Sequence, residues 1–191
     1  MSRLKNLITE DAVHERRIEV RTYPAKDDRV VVEGWLRDER FCQNFHWSGK
    51  ERQPGIVHHM CVRMLVGDWP LTILDAEAEM PGVPESLCLE TKNSVEKIIG
   101  MKIVGGYSDE VRRRLGGVKG CTHLSHLIVV MGPAALHGFW AQAMRRPQPV
   151  PESVDKIPGL ELLVNSCQLW AEDGPFLEMI KQELAQKKPQ S

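Results

Sequence analysis

Four side chains in three separate segments have the types and surroundings for shared chemistry. His58 opens the alternating run Val57-His58-His59-Met60-Cys61. Cys88 follows the loop Pro84-Glu85-Ser86-Leu87. Cys121 and His123 stand in Gly120-Cys121-Thr122-His123-Leu124. Thiolate sulfur and imidazole nitrogen are the donors that zinc and iron–sulfur centres prefer. Strand alternation sends His58 and Met60 to one face and His59 and Cys61 to the other, so only one histidine of the pair can join a given site. Cys88 and Cys121 each fall at a predicted helix start, where unpaired N–H groups and the helix dipole favour thiolate. Lys119 puts a positive charge beside Cys121, and the neighbouring glycines leave room for an approaching ligand. Thr122 suits the helix cap. His126, three residues beyond His123 on the same helical face, reads as an outer or reserve ligand.

Each of these residues also has a plainer reading. A histidine in a strand is ordinarily a hydrogen-bonded structural residue, Cys61 reads as core, and Cys88 taken alone is packing. A Gly-flanked Cys and His at a helix start are poor core material, so at Cys121 and His123 the balance favours chemistry. Cys121 or Cys88 with His58 or His123 also reads as a nucleophilic Cys–His pair, with Cys121 the catalytic candidate. Ser125 and His126 are adjacent on a helix and do not face each other, so they form no triad. Cys167, near a turn, is a weak candidate. Cys42, His46 and His137 carry no assigned role.

The elements that must position these side chains change character along the chain. Arg17 to Tyr23 alternates as a strand, Pro24 to Asp28 turns, and Val30 to Leu36 returns as a β-branched strand. Residues 38–55 read as a loop or a ragged strand extension. Val57 to Val66 and Leu71 to Glu79 are two further strands around the turn Gly67-Asp68-Trp69-Pro70, and Met80 to Pro84 closes the sheet region. From Leu87 the period becomes helical, through Thr91, Val95 and Ile98, with Gly100 as the stop. A second helix is expected after Ser108, with Asp109 and Glu110 at its start and arginines at its end. A third runs from Cys121-Thr122, and Pro133 divides it from a fourth. Residues 147–159 are a Pro-rich strap, Leu160 to Trp170 a further strand, and PFLEMIKQELAQ a last amphipathic helix. Strands first and helices after predict an α+β fold, an antiparallel sheet with helices packed on one face. The expected organisation is a polar leader over 1–14, a single domain over 15–180 and a flexible tail over 181–191.

Composition narrows the function. With 42% apolar and 27% charged residues and a net charge of −1, the chain is ordinary for a globular protein and offers no electrostatic reason to bind nucleic acid or an anionic membrane. No run reaches the ~18 apolar residues of a spanning helix, and the N-terminus has no apolar core of a signal peptide, so a cytoplasmic protein is expected. Five widely spaced cysteines are an odd number and do not suggest a disulfide framework. No glycine-rich phosphate loop is present, so no nucleotide cofactor is expected.

His58 to Met60, Asp75 to Ala78, Cys88 and Leu115 to Leu124, with its Gly-Cys-Thr-His-Leu run, resemble an uncharacterised bacterial domain-of-unknown-function family across most of residues 15–175. More distantly, the order of strands, a Cys at a helix start and a second Cys after Val118-Lys119 is similar to the NifU/IscU-type iron–sulfur scaffolds. That likeness implies a NifU/IscU/SufE-like core, with His58 in place of the first cluster cysteine, Cys88 at the second and Cys121 at the third, and His123 following the last. The expected function is therefore a metal-binding accessory or scaffold-like protein whose site is His58, Cys88, Cys121 and His123. It would hold zinc or an iron–sulfur cluster and serve a client metalloenzyme or sulfur-handling protein. The alternatives are a small cysteine-dependent enzyme or sulfur-transfer protein, and a partner-binding module without metal.

Overall fold

Alternation builds the first half of the chain. In the computed structural model, which describes residues 2–186, β1 (His14–Pro24), β2 (Val30–Arg40), β5 (Gly55–Gly67) and β6 (Thr72–Gly82) form one antiparallel sheet in the order β1-β2-β5-β6. On β2 and β5 the even-numbered Val30, Val32, Leu36, Met60, Val62, Met64 and Val66 are buried on one face. The strands run further than the sequence pattern suggests. β2 continues to Arg40, and β6 passes through Pro81 to Gly82. Pro81 is tolerated because β6 is an edge strand, where a missing N–H need cost no ladder bond. Within the expected loop lies a small hairpin, β3 (Asn44–Phe45) with β4 (Glu51–Arg52).

Helices cover the even face. Ser86–Ile98 is a run of 3-10 turns in place of the expected α-helix, with Val95 and Ile98 buried, and Gly100 ends it at a φ of 80°. Then come α1 (Tyr107–Leu115) and α2 (Thr122–Ala143). Gly106, at a φ of 81°, sits just before α1, where Ser108 was expected to cap. The acids and arginines fall at the two ends as predicted. The expected break at Pro133 does not occur: α2 is one 22-residue helix with Pro133 inside. A mid-helix proline costs about 3 kcal/mol. Here Leu124, Leu127, Ile128, Met131 and Ala135 are all buried in the core on either side of it, and tertiary packing of an apolar face outweighs propensity. By length and composition α2 is apolar enough to cross a bilayer, which a scan for continuous apolar runs misses; in this fold it is the helix that covers the sheet. The approach is close. A Cβ on Gly34 would lie 2.5 Å from Met131 Sδ, so glycine there lets α2 settle on β2.

The contacts divide the chain into two compact units, Met1–Ala143 and Met144–Ser191, where the sequence suggests one domain over 15–180. The second unit contains α3 (Leu160–Leu163), a 3-10 turn at Gln168–Trp170 and α4 (Pro175–Gln186). The strand expected over Leu160 to Trp170 is absent because Gly159 at a φ of 82° and Asn165 at 61° bend the chain out of an extended path. Part of the expected tail, 181–186, belongs to α4, and 187–191 lies outside the described residues.

Candidate functional site

Extending the β2 alternation past Leu36 brings Asp38 onto the core-facing stripe. Its carboxylate is 3% exposed, and an isolated charge at that depth would be costly. Arg16, reaching across from β1, answers it with a two-pronged bond: Nε donates to Oδ1 at 2.6 Å and Nη2 to Oδ2 at 2.7 Å. His58, its direct cross-strand partner on β5, places Nδ1 2.9 Å from Oδ2. His14 Nε2 stands 3.6 Å from Oδ1, and His123 Nε2, from the first turn of α2, 3.8 Å from Oδ2. Burial opposes ionisation of Asp38, but the bonds and charge of Arg16, with His58, outweigh it and hold the carboxyl below its ordinary value.

His123 ties this cluster to a thiol. Its ring lies against that of His58 with centroids 3.8 Å apart, and its Nδ1 stands 3.8 Å from Cys121 Sγ. The two nitrogens of one imidazole thus face a sulfur on one side and a carboxylate on the other. Cys121, not Thr122, occupies the cap of α2: its carbonyl accepts the bond from Ser125 N–H at 2.9 Å. Burial pushes the Cys121 thiol up, yet His123 and the backbone N–H groups of Leu124 and His123 more than offset it, leaving the thiol below its ordinary value. Cys61 is the counterexample, fully buried on the same sheet and pushed up to about 12 by desolvation.

The structure therefore gathers three of the four predicted residues, His58, Cys121 and His123, and adds Asp38, Arg16 and His14. Among the described residues no contact ties Cys88 to them. It is half-buried against the core, its carbonyl accepting a 2.7 Å bond from Thr91 Oγ1. Among the described residues the group whose donor atoms lie within 4.8 Å of one another is Asp38, His58 and His123. His126 is exposed and outside it, and His59 sits on the opposite face of the sheet, its ring 4.9 Å from Trp35. The room expected beside Gly120 is filled by protein: a Cβ there would lie 2.9 Å from Ser94 Oγ. The missed residues had a signal. Asp38 and Arg16 stand at even positions whose neighbours Leu36 and Ile18 face the core, so continued alternation alone places a charge pair there.

A family described as a protein of unknown function, DUF2889, matches residues 14–137. This chain belongs to that family. The matched span opens at His14 and closes within α2, so it contains the whole Asp38 cluster and Cys121. No curated protein and no solved structure matches the chain, and the likeness to iron–sulfur scaffolds gains no support from these comparisons.

Proposed function

We propose that this domain acts through Cys121 as a thiol nucleophile, with His123 as its proton partner and Asp38 behind His123. The observation that carries the reading is the span of the His123 ring, with Nδ1 toward Cys121 and Nε2 toward Asp38. That is the order of nucleophile, base and orienting acid that activates weak nucleophiles. Arg16 keeps Asp38 charged and in place, and His58 bounds the other face of the His123 ring. The chemistry this supports is group transfer through a covalent cysteine intermediate. The sulfur bonds to an electrophilic centre, an acyl carbon or a transferable sulfur. The leaving group departs with its electron pair and takes the proton from His123.

A second reading, a single metal ion, is favoured by the convergence of Asp38, His58 and His123 donors within 4.8 Å. Zinc suits nitrogen and oxygen donors of this kind. The Arg16 fork weighs against it, because both Asp38 oxygens already accept from a fixed positive charge.

Alkylation of the five thiols by iodoacetamide, mapped by mass spectrometry with and without a chelator, separates the readings. The thiol reading expects Cys121 to react at least about tenfold faster than exposed Cys42 and Cys167 in both conditions. Protection of Cys121 that a chelator relieves supports the metal instead. A Cys121 no faster than Cys42 with the chelator present contradicts the thiol reading.

A further inference from the structure

The outer edge of β1 carries an inference independent of the thiol site. β1 is 11 residues long and ends the sheet: β2 pairs with one side, and among the described residues no strand pairs with the other. A long edge is a template for another strand unless something blocks or specifies its pairing. On its open face β1 presents Glu15, Arg17, Glu19 and Arg21, an alternating series of charges. Arg17, Glu19 and Arg21 are each more than half exposed.

That series is complementary to itself when reversed. If a second copy of β1 pairs antiparallel with Ile18 opposite Ile18, then Glu15 meets Arg21 of the second copy, Arg17 meets Glu19, and the same pairs recur across the two-fold axis. Every charge on the face then has an opposite charge directly across. The neighbouring registers do not share this property. Centring on Glu19 sets Arg17 against Arg21 and Glu19 against itself; centring on Arg17 sets Arg17 against itself and Glu15 against Glu19. Like charges directly opposite destabilise a strand pair, and opposite charges stabilise it. Because this register opposes odd residues to odd, the same faces of the two sheets stay aligned and the helices lie on one side. Within one chain, Arg17 Nε reaches Glu15 at 2.5 Å and Arg21 Nη2 reaches Glu19 at 2.7 Å. Each guanidinium has five N–H donors, so donors remain for the carboxylate across the axis.

We infer that β1 is a homodimer interface, joining two copies edge to edge into one continuous sheet in the register centred on Ile18. The partner is a second copy of this chain because the charge series specifies its own reverse. The test is the molar mass of the full chain by light scattering and sedimentation across a concentration series. Wild type is expected to be a concentration-dependent dimer. Arg17→Glu sets a carboxylate against that of Glu19 on both sides of the axis and should weaken association at least about tenfold. The double change Arg17→Glu with Glu19→Arg exchanges the charges and should restore it. Position 17 is exposed, and circular dichroism checks that each variant is folded. Any of three results overturns the inference: wild type monomeric at every concentration, an Arg17→Glu dimer as tight as wild type, or a folded double variant that fails to recover association.

Discussion

Two charge clusters hang on the same pair of strands and face opposite ways. Arg63 on β5 is the cross-strand partner of Glu33 on β2, bonds it at 2.8 Å, and reaches Glu77 and Glu79 on β6. Asp38 on β2 is the cross-strand partner of His58 on β5 and is held by Arg16 from β1. The residue types are similar, but parity separates them. Odd positions put the Arg63 cluster on the other face of the sheet, where Glu33 is part-buried but Glu77 and Glu79 are exposed to water. Even positions put Asp38 on the core side, near the start of α2. Surface ion pairs contribute about 0–1 kcal/mol because water already solvates their charges. A buried carboxylate depends on its partners, and the same dependence lets it orient a histidine. Depth, more than charge count, separates the cluster that decorates the sheet from the one equipped for chemistry.

The sharpest way to break this comparison is to remove one arginine from each cluster. Arg16→Ala strands the Asp38 charge and should destabilise the fold by about 3 kcal/mol in urea unfolding. Equal costs for Arg16→Ala and Arg63→Ala would erase the distinction. Acid sharpens it next. The folded Asp38 carboxyl ionises below its ordinary value, so its contribution to stability is fully present above the unfolded value near ~3.9 and is lost as pH falls through the lower folded value. Asp38→Asn should remove that part of the acid loss, seen as a flatter dependence of stability on pH below about 4. The smallest effect is expected at Arg63→Ala, about 1 kcal/mol, because two of its three carboxylate partners, Glu77 and Glu79, lie open to water, and that part should diminish as salt is added.

The sheet and its face assignments were legible because period-two alternation is a strong signal. His58 and Met60 do share the covered face, with His59 and Cys61 on the other. The ends of strands were harder. Ending β2 at Leu36 hid Asp38, the centre of the site, among polar residues that resemble a loop. Arg16 was hidden in the same way, one residue before the strand as read from sequence. Pro133 misled in the other direction, since local propensity predicted a break that burial of the residues around it overrides. Cys88 was read from a helix start, but the element there is a run of 3-10 turns, and among the described residues no contact ties its thiol to the Asp38 cluster. Cys121 and His123 stand out in the sequence because glycine, thiol and imidazole crowd a helix start that offers little reason for packing, and the structure sets the His123 ring between Cys121 and Asp38.

The central claim is that His123 and Asp38 make Cys121 reactive, and the rate of Cys121 alkylation across variants tests it directly. Iodoacetamide rates for wild type, His123→Gln and Asp38→Asn, measured at one pH near neutrality on samples shown by circular dichroism to be folded, should fall at least about tenfold for His123→Gln and by less for Asp38→Asn. The rates of Cys42 and Cys167 should not change. A Cys121 rate that is the same in all three proteins would contradict the account.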